Sequence, residues 1–250
     1  GNLLTSINVA GRRSLEAFAC GDNKLTSLNL TGCTGLEGLF CWGNNLSSLN
    51  LAPCSKLQWL DCSENKLKSL NTGACPDLMA LFCSDNALTS LGIASNKYLL
   101  ALDCAGNSLT SLSISQKLVI FRCIGNPMTS LGVSLVKENS SVIPVTLKAS
   151  GSGYVGLIHR YEDDETTAVA TPKEYYSFSK WTKSGKTAST KAAFDIKSSG
   201  TYIAEFAYKR GVYLSGVTLS AGKMSPAFSK TKTSYKITLP ENQGSVTITP

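Results

Sequence analysis

Histidine occurs once in the 250 residues, as His159, and much imidazole chemistry is excluded with it. A zinc site needs clustered Cys and His ligands, and the chain has neither a second histidine nor any Cys-x-x-Cys pair. It also lacks a Gly-x-Ser-x-Gly nucleophile turn, a phosphate-binding glycine loop and paired carboxylates in a recognisable frame. We therefore expect no enzyme, no cofactor and no metal. Apolar runs never approach the roughly 18 residues of a membrane-spanning helix. Charged residues are sparse, at 16%. Residues 1–136 hold nine Lys and Arg against eight Asp and Glu, and the remainder holds fifteen against nine, so most of the net charge of +7 belongs to the second half. There the basic residues are scattered on alternating strand-like positions and not gathered into a patch with aromatics, which reads as a solvated surface with no nucleic-acid partner.

What is present is a repeat. Leu-x-x-Leu-x-Cys-x-x-Asn-x-Leu-x-x-Leu-x-Leu recurs every 21 residues, anchored at Leu15, Leu36, Leu57, Leu78 and Leu99, with a shorter step to Leu118. A period of 20 to 29 residues with this leucine spacing marks a leucine-rich repeat solenoid, each coil giving one strand to a parallel sheet on the concave face. One coil cannot bury its own apolar face, so stability is a sum of coil and neighbour terms. Asn2, Leu4, Ile7 and Val9 match the second half of the frame. We expect from this, and from Gly1 standing where Met would, that the chain starts inside a longer protein with any export signal upstream.

The nine cysteines fall in columns. Cys20, Cys41, Cys62, Cys83, Cys104 and Cys123 follow the strand, and Cys33, Cys54 and Cys75 lie thirteen residues after the first three. Side chains in a column are parallel and one strand spacing apart, which suits packing and not the convergent geometry of a disulfide. Buried free thiols acting as small hydrophobes are expected. Asn23, Asn44, Asn65, Asn86, Asn107 and Asn126 form a third column, where an inward amide satisfies backbone groups of its own turn and of the next coil.

Function is then sought where the frame leaves identity free. Strand alternation puts three columns on the open face. They read Ala17, Gly38, Trp59, Ala80, Ala101, Ile120; then Ala19, Phe40, Asp61, Phe82, Asp103, Arg122; then Gly21, Trp42, Ser63, Ser84, Ala105, Ile124. Phe40, Trp42, Trp59 and Phe82 are expected to converge there, flanked by Asp61 and Asp103. Exposed aromatics of this size typify binding surfaces. A protein partner is expected, the alternatives being a glycan stacked on the rings or a spacer whose recognition element lies elsewhere.

The frame resembles the short repeats of bacterial surface proteins of the internalin family, among which cysteine ladders occur. The resemblance covers residues 2 to about 136. It implies an exported, cell-surface adhesion or recognition module, with no ligand carried over; a monomer is expected. Beyond it, strand patterns are expected at 143–149, 154–160, 166–171, 175–182 and 201–208, separated by turn signals such as Gly151 to Gly153 and Ser184-Gly185. Residues 137–210 look like a divergent internalin B-repeat, a β-grasp-like spacer with Phe178, Trp181 and Phe206 in its core. Residues 211–250 are similar to the start of a cadherin-like, immunoglobulin-like β-sandwich. The acidic run from Glu162 to Glu165 lacks the spacing of a calcium loop and reads as a solvated turn.

Overall fold

The computed structural model describes residues 1–137, 141–160, 165–174 and 176–208, and four short strands beyond them. Two compact units result, Gly1–Ala207 and Tyr208–Pro250. Glu162, Asp163 and Asp164 of the acidic run lie outside the described residues, as does most of 211–250.

The first unit is built on a solenoid of six coils. Their strands are β1 Ala17–Ala19, β2 Gly38–Phe40, β3 Trp59–Asp61, β4 Ala80–Phe82 and β5 Ala101–Asp103, then, after β6 Lys117–Leu118, β7 Ile120–Arg122. They pair in parallel and in register, so that Phe18, Leu39, Leu60, Leu81, Leu102 and Phe121 form one inward row. The strands are only three residues long because the frame turns at each asparagine. Among the described residues no helix is long and apolar enough to cross a membrane, and no group of His, Cys, Asp and Glu is placed to hold a metal.

The chain then folds back on the solenoid through β8 Ser130–Val136, β9 Val142–Ala149, β10 Gly153–His159, β11 Thr166–Pro172, β12 Tyr176–Lys183, β13 Lys186–Ser189, β14 Ala193–Asp195 and β15 Gly200–Tyr208. Hydrogen bonds join segments on either side of residue 136. β10 pairs antiparallel with β7, setting Ile158 opposite Arg122 and His159 opposite Phe121. The solenoid sheet thus continues as β7-β10-β11-β14, while β13-β12-β15-β9-β8-β6 form a second sheet. This covers a sheet edge that would otherwise present unpaired backbone groups. His159 is 1% exposed, its Nε2 donating to the Val136 carbonyl at 2.9 Å and its Nδ1 lying 2.8 Å from the Thr166 hydroxyl. Both ring nitrogens are engaged, so the lone histidine is a structural residue. Trp181 is fully buried, donates from Nε1 to the Ala192 carbonyl and packs against Phe178 and Phe194. In the second unit, β16 Thr218–Leu219 pairs antiparallel with β19 Ile248–Thr249, and β17 Lys223–Ser225 with β18 Lys236–Thr238.

Columns of polar side chains hold the coils together. Asn65 accepts from the Leu46 amide and donates to the carbonyls of Cys41, Cys62 and Ser63. Asn44, Asn86 and Asn107 repeat the pattern. The coil they reach is the preceding one, where the sequence suggested the following one. All nine cysteines are buried free thiols. Those of the second column do more than fill space. Cys33 Sγ donates to the Val9 carbonyl at 3.1 Å and Cys75 Sγ to the Cys54 carbonyl at 3.4 Å. Where the cysteines stop, Asn96 takes over, donating to Cys75 at 2.7 Å, and Gln116 follows, donating to Asn96 at 3.1 Å. Thr72 stands where neighbouring coils carry Leu51 and Ile93, and its hydroxyl donates to Asn96 Oδ1 at 2.7 Å.

Thr72 and Asn96 are both fully buried, so neither is free to vary alone. Thr72→Val leaves the Asn96 carbonyl oxygen one donor short and is expected to cost about 1 to 3 kcal/mol in urea unfolding. Adding Asn96→Cys should restore much of that loss, and strictly additive effects would show that the two do not act as a pair.

Burial pushes the thiols up from their ordinary value of 9.0, to about 11 for Cys20, Cys54 and Cys75 and about 12 for Cys123. The unfolded chain therefore releases these protons from about pH 9, while the folded chain keeps them. Stability is intact below pH 9 and falls as pH rises from 9 towards 11. Thermal melts across that range should show the decline, and replacing Cys54 and Cys75 by Ala should flatten it.

Candidate functional site

The side of the sheet opposite the core carries cross-strand rows fixed by register. One runs Ala19, Phe40, Asp61, Phe82, Asp103, Arg122 and ends at Ile158. The next runs Ala17, Gly38, Trp59, Ala80, Ala101, Ile120. Each step is about 4.8 Å.

Phe40, Trp42 and Trp59 are 37%, 40% and 48% exposed, and Phe82, Asp61 and Asp103 are half-buried. The four aromatics form two groups. The rings of coil two rest on glycines: a Cβ at Gly21 would come within 2.5 Å of Trp42 Nε1, and one at Gly38 within 3.1 Å of the Phe40 ring. Trp59 and Phe82 instead wall a hollow of about 200 Å³ across coils three to six. Ala80 and Ala101 are its floor, Ile120 closes the far end, and Met79, Leu100 and Val119 line its side. Every lining side chain is apolar. Two alanines between a tryptophan and an isoleucine leave a gap about 14 Å wide at the backbone.

A second hollow of about 250 Å³ shares Phe82 and Ile120 with the first and adds Asp103, Arg122, Ile158, His159 and Arg160. Arg122 Nη1 lies 3.5 Å from Asp103 Oδ2, and Asp103 Oδ1 accepts from the Ala105 amide at 3.0 Å. Burial pushes the Asp103 carboxyl above its ordinary range, while the Ala105 amide and Arg122 hold it back. Asp61 Oδ1 accepts from the Ser63 amide at 3.1 Å. Both carboxylates are fixed in orientation by these backbone amides.

Of the six residues singled out from the sequence, the hollows bring together Trp59, Phe82 and Asp103. Phe40, Trp42 and Asp61 line neither. Ile120 and Arg122 stood in the open-face columns without being singled out, and Met79, Leu100 and Val119 were missed. A signal for them existed: the column before the strand reads Glu16, Glu37, Gln58 in coils one to three and Met79, Leu100, Val119 in coils four to six. Its change from polar to apolar marks the walled side of the hollow.

Because Arg122 opposes the upward push on Asp103, Arg122→Gln should raise the Asp103 pKa further. Carbon-detected carboxyl titration would read the change, and an unmoved or lowered value would refute the pairing.

No protein-family model matches the chain, and no curated protein matches it. Among solved structures, the functional domain of InlJ from Listeria monocytogenes, which includes a cysteine ladder, is 27% identical, with 52% of this chain and 39% of that chain covered at a TM-score of 0.31. The chain thus spans about two fifths of that neighbour's length.

Proposed function

We propose that the chain is a non-enzymatic recognition module that binds a protein partner through the open face of its repeat, and that it works at a bacterial surface. The observation that carries the reading is the all-apolar hollow between Trp59 and Ile120. A sugar ring stacks on aromatics but presents hydroxyls around its rim, and these need polar partners. Met79, Leu100, Val119 and the two alanines offer none. A large apolar side chain from a protein fits such a hollow, with the desolvated centre and surrounding contacts of an interface hot spot. Residues 137–210 and 211–250 serve in this reading as spacers of the B-repeat-like and cadherin-like kind suggested by their strand patterns. The surface location rests on the repeat frame's resemblance to surface-protein repeats.

Parallel protein and glycan arrays test it. Ala101→Leu fills the hollow from its buried floor, and overpacking should cost no more than about 1 to 3 kcal/mol, which thermal melts separate from lost contact. Protein binding is expected to fall more than tenfold. A signal on glycans alone, or protein binding that survives Ala101→Leu, would overturn the reading; silence on both arrays would favour a spacer.

A further inference from the structure

The open face carries a segregated charge, and that charge selects the partner. Asp61 and Asp103 stand on the strands themselves. Asp22, Glu64 and Asp85 stand at the turn leaving the strand, and Glu16 and Glu37 in the column before it. These are seven of the eight acidic residues of the repeat half, Asp77 being the other, while the strands and their flanks in coils one to five contain no Lys or Arg. Arg122 in coil six is the exception, and it faces Asp103. Among the described residues the sheet face is therefore apolar and aromatic at its centre and negative along coils one to five, with Arg122 and Arg160 bordering its coil-six end.

The turn column shows that the acids are not incidental. All six of its positions have left-handed backbone, with φ of 62°, 62° and 72° at Gly43, Gly106 and Gly125 and 56°, 52° and 52° at Asp22, Glu64 and Asp85. Glycine suits this conformation without steric penalty. Half the coils nevertheless carry a carboxylate there. On the strands, register sets Asp61 one step from Phe40 on one side and one step from Phe82 on the other. A cation placed against Asp61 is thus flanked by a phenylalanine one strand away on either side, about 4.8 Å off at the backbone, a setting that favours cation–π attraction.

We infer that the open face docks a basic segment of a partner protein, a Lys or Arg side chain seating against Asp61 between Phe40 and Phe82 while a neighbouring apolar side chain enters the hollow between Trp59 and Ile120. This rests on the protein-binding reading above and adds the chemistry of the partner. The surrounding carboxylates steer the approach and reject acidic competitors, an effect weakened by salt.

Panning the intact protein with a random peptide display library tests the inference. The enriched peptides should pair Lys or Arg with a large apolar residue and bind less well near 0.5 M salt. Asp61→Asn, which keeps the acceptor for the Ser63 amide, should weaken them about tenfold. Glu64→Gly should weaken them less while leaving the thermal midpoint unchanged or higher, so a folding defect is not mistaken for lost contact. Basic peptides indifferent to Asp61→Asn would overturn the inference. Apolar peptides with no basic excess that are lost on Ala101→Leu would overturn it while leaving the protein-binding reading intact. Peptides indifferent to both substitutions would remove both. A concentration-dependent dimer of the protein alone, dispersed by Asp61→Asn, would overturn it in favour of a second copy, whose basic half would then be the occupant.

Discussion

One asparagine amide per coil sets the terms for the rest of the molecule. A chain that turns every 21 residues buries carbonyls and amides at each turn, and buried backbone groups left without partners each cost about 1 to 3 kcal/mol. Asn65 answers four such groups at once, two of them on the preceding coil. No coil is complete without the one before it, and slipping the stack by one residue would unpair both ends of every amide. The cysteine column beside it depends on the same closeness, because a larger inward side chain would hold the coils apart. Where that tolerance changes, the frame changes in step: Asn96 enters the second column only together with Thr72, whose hydroxyl it needs.

Fixed register turns a sequence column into a row of side chains at known spacing, and this gives the open face its properties. Substituting one residue in a coil changes one position in a row and nothing else in the backbone. Ala80 and Ala101 between Trp59 and Ile120 make a hollow by omission. Gly21 and Gly38 let the rings of coil two lie flat against the sheet. Asp61 between two phenylalanines makes an alternation of charge and ring that no single coil encodes.

The leucine, cysteine and asparagine columns were legible because each is imposed six times over by the same physical demand. The strands at 143–149, 154–160, 166–171 and 201–208 were legible from alternation and turn signals. Three things were not. Leu131, Val133 and Leu135 continue an inward apolar pattern, so Ser130–Val136 read as the tail of a coil, whereas β8 pairs antiparallel with β9 and in parallel with β6. The pairing of β10 with β7 joins segments some 35 residues apart through two residue pairs, and no local pattern announces it. The floor of the hollow carries no sequence signal of its own, because a cavity is defined by small side chains such as Ala80 and Ala101. Trp59 and Phe82 were found as exposed aromatics, but the alanines that give them something to enclose looked like filler.

The placement of the hollow follows from how repeat arrays lose structure. Their stability is close to a sum of nearest-neighbour terms, so an unprotected terminal coil opens at little cost. Coil six is not unprotected. Its Cys123 amide donates to the Leu157 carbonyl and the Val155 amide donates to the Met128 carbonyl, so opening it requires breaking β10 away as well. The hollow is backed by coils three to five on one side and by this closure on the other. A pocket held in this way pays its ordering entropy during folding and not on binding, which is the condition under which a small apolar recess yields useful affinity. If the proposed binding holds, the same reasoning orders the open face: Phe40 and Trp42, four coils from the closure, would contribute area, whereas Trp59, Phe82 and Ile120 would contribute shape.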